Sequence, residues 1–197
     1  MYEIFFVPLW PTNVSYALRI MEDSEIHCIL ATRMGSVSVA DLCHSLVLPD
    51  SVGRLYPFLF CTDSLVARNA AWVMTHFDAD ALLVLLPHCD DMIDLVMRTD
   101  NSGLRRLLLN ILYRLPMDGE ALRTDFLDFC LSGMVSMEQP PGVQSLCMKL
   151  AHRMCSFYPA LSDEFVRTVM GMEMCYYTPA VRSVRNKVLR GVVRCME

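Results

Sequence analysis

Apolar residues recur along this chain at helical spacing. Val66, Ala70, Val73 and Phe77 fall at i, i+4, i+7 and i+11. Leu104, Leu108, Ile111, Leu112 and Leu115 repeat that stripe, as do Val143, Leu146, Cys147, Leu150 and Met154, and then Val181, Val184, Val188 and Val192. Each set puts an apolar face along one side of a helix. No stretch of comparable length alternates with period two, so the pattern predicts an all-α chain without a sheet.

The four stripes superpose at a near-constant interval. Ala67-Arg68-Asn69-Ala70-Ala71 aligns with Leu104-Arg105-Arg106-Leu107-Leu108, with Val143-Gln144-Ser145-Leu146-Cys147 and with Val181-Arg182-Ser183-Val184-Arg185. The intervals are 37, 39 and 38 positions, counted from Arg68 to Arg105, to Gln144 and to Arg182. A fixed period of this size is the mark of stacked repeats, each unable to bury its apolar face alone.

Helix-start signals precede each stripe. They are Thr62-Asp63-Ser64, Asp100-Asn101-Ser102-Gly103, Pro140-Pro141-Gly142 and Thr178-Pro179. Asp, Asn, Ser and Thr accept bonds from the free N–H groups of a first turn, and proline is tolerated there. Partner segments are predicted at 51–60, 80–98, 119–133 and 161–174, with Pro87 kinking or splitting the second. The expectation is a single domain over 1–197. N-terminal capping helices occupy 1–50, one of them near 37–47 and ending before Pro49. About four helix pairs fill 51–197.

These pairs resemble HEAT-type and armadillo-like helical repeats. The resemblance covers about residues 50–197 and rests on the period, the pairing and a loose motif of a turn Asp followed by Arg (Asp63 with Arg68, Asp100 with Arg105). The third repeat departs with Gln144, and the fourth sets Arg185 at an otherwise apolar place. The resemblance implies a right-handed α-α superhelix whose second helices line a concave face. It also implies a scaffold or docking role, with a few DNA glycosylases among such arrays. More narrowly, Arg68-Asn69-Ala70-Ala71-Trp72-Val73-Met74-Thr75-His76 and Arg105-Arg106-Leu107-Leu108-Leu109 are similar to a group of short Bacteroides-type proteins labelled adenylosuccinate lyase. That similarity implies a lyase-like enzyme. The Gly-Ser-Ser-x-Met-Pro loop of the lyases is absent, and Gly171-Met172-Glu173-Met174 lacks the serine that acts as base.

Composition narrows the function classes. Hydrophobic residues make up 54% and charged residues 20%, which argues against disorder. The net charge of −5 argues against a general nucleic-acid binder and leaves room for a local basic strip. The 9 cysteines are scattered, with no Cys-x-x-Cys pair, and most lie in apolar segments. That suits a reducing compartment better than a disulfide framework. The apolar run from Ile4 to Trp10 lacks preceding basic residues and is broken by Pro8, so it is a poor signal peptide. No uncharged apolar stretch reaches membrane-spanning length. A soluble, cytoplasmic protein is expected.

Candidate chemistry is sparse. His27-Cys28, Cys43-His44 and His88-Cys89 are adjacent pairs, and neighbours on a helix diverge by about 100°, so they rarely share a metal. His152 and Cys155 share a face but have no further ligands near them in sequence. In His88-Cys89-Asp90-Asp91 the carboxylates would raise the thiol pKa, and the stretch reads as a helix start favoured by the dipole. Gly-rich phosphate loops, Gly-x-Ser-x-Gly and His-Glu-x-x-His do not occur. No catalytic residue, metal or cofactor is therefore predicted. The acidic stretch 78–100 reads as a solvated face or a receiver of a basic partner.

Two groups remain as candidate binding residues. Asn69, His76, Arg106, Tyr113, Lys149 and Arg153 are polar or amphipathic positions on the second helices, where a protein partner would lie; Arg68 and Arg105 are expected to bond between repeats. Arg182, Arg185, Lys187, Arg190 and Arg194 form a basic patch on the last helix. It suits phosphate contact or the polar outer face of a terminal repeat. The leading expectation is a non-catalytic interaction scaffold. The alternative, a DNA-binding or DNA-repair repeat protein, requires Trp72 or Tyr113 exposed beside that patch.

Overall fold

The computed structural model describes residues 21–46, 51–117, 119 and 122–195, with side chains as far as Gly191. The apolar run Ile4–Trp10, the helix stop before Pro49 and the Arg194 side chain lie outside the described residues. All regular structure among these residues is helical. The chain begins with α1 (Asp23–Leu30), α2 (Ser36–Ser45) and α3 (Ser51–Leu55), which runs into a 3-10 turn at Tyr56–Phe60. Next come α4 (Ser64–Met74), α5 (Ala79–Leu82), a 3-10 stretch Leu83–His88 and α6 (Cys89–Arg98). Then follow α7 (Ser102–Arg114), α8 (Thr124–Val135), α9 (Pro141–Cys155), α10 (Pro159–Gly171) and α11 (Pro179–Cys195).

Local chemistry accounts for the helix starts. Asp63 accepts from the N–H of Leu65 at 2.8 Å and opens α4. Asn101 accepts from Leu104 N–H at 3.0 Å and opens α7. Each removes an orphan donor of the first turn. Pro141 and Pro159 stand in the first turns of α9 and α10, where no backbone N–H is needed. Pro87 divides the predicted 80–98 segment. Lacking an N–H and crowding the preceding turn, it separates α5 from α6 by 3-10 geometry.

Two layers result, and together they make an all-α solenoid. The inner layer is the series α1, α4, α7, α9, α11, each packed on the next. The outer layer consists of α2 and α3, of α5 with α6, of α8, and of α10, which pair with α4, α7, α9 and α11 respectively. Thus α1, inside the segment expected only to cap the array, stands in the inner layer. The core runs between the layers. In α7 alone Leu104, Leu107, Leu108, Leu109, Ile111 and Leu112 are buried, each contributing on the order of 1.5–3 kcal/mol of apolar transfer. The layers come close at Gly133 of α8. A Cβ there would lie 3.0 Å from the Cys147 sulfur of α9.

Burial corrects the register of the first repeat. Val66, Leu104, Val143 and Val181 are the equivalent buried positions, 38, 39 and 38 residues apart. Arg68 therefore corresponds to Arg106, not to Arg105. The geometry agrees. The Arg68 stem lies across Gly103 at the start of the next inner helix, and the Arg106 stem lies across Gly142 at the start of the one after.

Side chains also tie helix ends together at the repeat interval. Asn69 donates to the carbonyls of Leu30 (2.8 Å) and Thr32 (2.9 Å) at the end of α1. Arg114 donates to Thr75 O (2.9 Å) and Phe77 O at the end of α4. Arg153 donates to Tyr113 O (2.9 Å) in the last turn of α7. Within pairs, Arg105, Gln144 and Arg185 donate to Val96 O, Ser136 O and Val169 O at the ends of the outer helices. The last carbonyls of a helix lack internal partners and carry the negative end of its dipole, so donors and cations belong there.

Candidate interaction surface

The residues singled out from sequence divide into three groups. Tyr113, Lys149 and Arg153 come together. The Lys149 ammonium stands over the Tyr113 ring, 5.3 Å from its centroid, and Arg153 holds the Tyr113 carbonyl. Tyr113 is 37% exposed. Arg106 lies on the same face of α7 and is exposed, with no carboxylate partner among the described residues. His76 is exposed at the end of α4, with Nδ1 3.0 Å from Trp72 O.

Asn69 is a correction. It is 0% exposed, because both amide N–H groups are consumed by the α1 carbonyls and its Oδ1 accepts from Arg68 at 3.2 Å. Arg153 serves partly as a clamp of the same kind. The expectation that Arg68 and Arg105 bond between repeats is also revised. Arg105 bonds within its own pair, to Val96 O and Thr99 O, and meets the next pair only through the Phe129 ring, 5.8 Å away. Arg114, which binds across repeats, was not singled out. Its signal was its spacing of 39 from Arg153.

The basic patch on α11 is divided as well. Arg185 turns to Val169 O and Met170 O, which explains a cation at a position that is apolar in the other repeats. Arg182, Lys187 and Arg190 are exposed and border a shallow depression with Ser183 and Asn186. The aromatic residues are not beside this patch. Trp72 is half-buried against the core, and α9 lies between Tyr113 on α7 and the last helix.

The acidic stretch 78–100 is largely engaged by the chain itself. Arg123 lies 3.6 Å from Asp90, 2.8 Å from Asp94 and 2.5 Å from Asp125, and it holds the Asp125 carboxyl below the usual range. Asp91 accepts from Tyr56 at 2.9 Å. Burial, and then that hydrogen bond, push the Tyr56 hydroxyl up to about 12. His88 stacks on Tyr56 at 4.1 Å.

Three thiols are shifted away from the reactive thiolate. Burial, then Asp90, raise the Cys89 thiol. Burial, then Glu164, raise Cys155 to about 11. Cys130 is raised well above the ordinary thiol value, first by burial and then by Cys147. A nucleophilic cysteine requires the opposite shift. Burial also lowers the His152 pKa beside the Phe165 ring, favouring its neutral form. A cavity of about 260 Å³ lies among Ile93, Leu112, Leu115, Phe126 and Met154, smaller than the usual small-molecule site of roughly 300–1,000 Å³. Among the described residues no cluster of three or more His, Cys, Asp or Glu is placed to hold a metal ion, and no helix is long and apolar enough to cross a membrane.

Paired helices in series, tied end to end at a constant interval, define a helical-repeat protein. The chain belongs to the HEAT repeat domain family, whose profile matches residues 26–192. The match begins inside α1, in keeping with that helix's place in the inner layer. No curated protein and no solved structure matches the chain.

Proposed function

We propose that this protein is a non-catalytic interaction platform in which the chain acts as one domain. Its partner is a protein seated along the concave face of α4, α7 and α9. The observation that carries this reading is the Arg106, Tyr113 and Lys149 constellation. An exposed arginine without an ion-pair partner, an exposed tyrosine and a lysine on its ring share one face of adjacent inner helices. Tyr and Arg are the side chains that most often anchor protein interfaces. The raised pKa values of Cys89, Cys130 and Cys155 give no support to a catalytic centre at those thiols, and nothing among the described residues favours the lyase-like reading. A cytoplasmic location accords with the free cysteines among the described residues.

A nucleic-acid reading is favoured by one observation, the exposed Arg182, Lys187 and Arg190 on α11. A pull-down from native-host lysate separates the two. The tagged chain is used at moderate salt, with and without nuclease. A protein partner that survives nuclease and is lost from Arg106→Ala/Tyr113→Ala supports the platform. Recovery only without nuclease moves the function to nucleic acid and to the α11 cations.

A further inference from the structure

The chain is acidic overall, yet from α4 onward its charge is sorted by layer. Of the five inner helices α1 carries Asp23 and Glu25, whereas α4, α7, α9 and α11 contain no Asp or Glu. These four contain one, three, two and five Lys or Arg respectively, eleven of the chain's 17, while all 22 acids lie elsewhere. The outer helices show the opposite bias. Asp90, Asp91 and Asp94 of α6, Asp125 and Asp128 of α8, and Asp163 and Glu164 of α10 are all exposed. Surface helices ordinarily intersperse both signs, because acid–base pairs one turn apart stabilise them. Four acid-free helices in series forgo that gain.

The fold itself uses only part of this charge. Arg105, Arg114, Arg153 and Arg185 are engaged by helix-end carbonyls. Arg68, Arg106 and Lys149 then remain on α4, α7 and α9, and Arg182, Lys187 and Arg190 on α11; Arg68, Arg106, Lys149 and Lys187 lie along a track. Measured from the buried equivalents Val66, Leu104, Val143 and Val181, the first two occupy one position and the last two another, four residues further on. The track therefore shifts by one turn, about 5.4 Å, midway. None of the four has a carboxylate within ion-pairing distance among the described residues. The Nε of Arg68 is buried with no hydrogen-bond partner.

We infer that this track is the docking site of an extended acidic protein segment carrying a carboxylate at about every third residue. This deepens the platform reading and rests on it. The occupant follows from charge and spacing. Packed helices stand roughly 8–10 Å apart, so the cations recur at that interval. An extended polyproline-type chain rises about 3.1 Å per residue, which brings every third side chain to about 9 Å. In duplex DNA each strand carries a phosphate about every 3.4 Å of helix axis. One track cation per helix would neutralise only a minority of those, while the acidic outer layer would repel the rest of a long polyanion. Carboxylates also match the geometry of the exposed Arg106, whose planar fork binds them through two parallel bonds.

The test is fluorescence anisotropy with the purified full-length chain and four labelled probes. They are (Glu-Pro-Ala)4, a peptide of the same composition with its four Glu contiguous, (Lys-Pro-Ala)4, and a thymidine oligonucleotide of matching length. The expected result is that (Glu-Pro-Ala)4 binds best. Its affinity should fall at least about tenfold in Arg106→Glu/Lys149→Glu, since apposed like charges cost several kcal/mol. Circular dichroism melting checks that this variant folds; if it does not, Arg106→Gln/Lys149→Gln replaces it, with a smaller loss expected. Tightest binding of the oligonucleotide, or indifference of (Glu-Pro-Ala)4 to both variants, overturns the inference. The pull-down keeps the two readings apart. A captured protein that depends on Arg106 and Tyr113 but resists competition by excess (Glu-Pro-Ala)4 leaves the platform standing and removes the acidic partner. Oligonucleotide binding with no protein captured removes both.

Discussion

The inner helices α4, α7, α9 and α11 are unbroken and 11, 13, 15 and 17 residues long. The outer layer over the same repeats is interrupted. Facing α7 it consists of a four-residue helix, a 3-10 stretch carrying Pro87 and a ten-residue helix. Inner helices pack on two inner neighbours as well as on their outer partners, so a break would leave buried backbone groups unpaired. Outer helices keep one side in water, where a carbonyl freed by proline is hydrated. The same asymmetry explains the polar groups. Inner-layer cations and amides close helix ends in the neighbouring repeat, whereas outer-layer charges pair mainly with one another at the surface, as Arg123 does with Asp90, Asp94 and Asp125. The inner layer holds the stack together; the outer layer covers it.

Three substitutions probe this contrast. The largest effect is expected from Leu108→Ala, at the fully buried centre of α7. Removing these methyl groups leaves a cavity between layers, and urea unfolding should show a loss of roughly 2–5 kcal/mol. A loss below 1 kcal/mol would mean that the inner layer relaxes as freely as a surface. Next is Asn69→Ala. It strips two carbonyls at the end of α1 of their donor, and buried groups left unsatisfied cost about 1–3 kcal/mol. Hydrogen exchange should show α1 opening before α7 in this variant. Exchange that is uniform along the chain would show that the tie does not hold α1 to the stack. The smallest change is expected in the outer layer. Asp94→Ala removes an exposed partner of Arg123, and such pairs contribute about 0–1 kcal/mol. A melting shift as large as that of Asn69→Ala would erase the distinction between the layers.

Much of the fold was legible in the sequence because its signals are local. Asp63 and Asn101 cap the helices they precede, Pro141 and Pro159 open theirs, and Pro87 splits its segment, each through contacts within a few residues. The repeat register was read one position out in the first repeat. Ala67-Arg68 and Leu104-Arg105 share a local pattern, and the burial of Asn69 and Val73, which matches that of Leu107 and Ile111 rather than Arg106 and Asn110, separates the two alignments. Of the candidate residues, Tyr113 and Lys149 lie against one another and Arg106 stands on the same face of α7. Asn69 is buried instead, and a buried amide and an exposed one look alike until the acceptors are known.

Those acceptors mark the boundary. The residues themselves determined an all-α repeat, the positions where helices start and the absence of acids from α4, α7, α9 and α11. Those properties depend on backbone sterics, capping and hydrophobic period, which act over a turn or two. Tertiary structure alone decided which polar side chains are spent and which are free. Asn69, Arg114 and Arg153 find their carbonyls 37 to 40 residues away, on the neighbouring repeat. Stacking likewise turned single cations scattered along the chain into one track, because charges on successive helices become neighbours only when the helices pack.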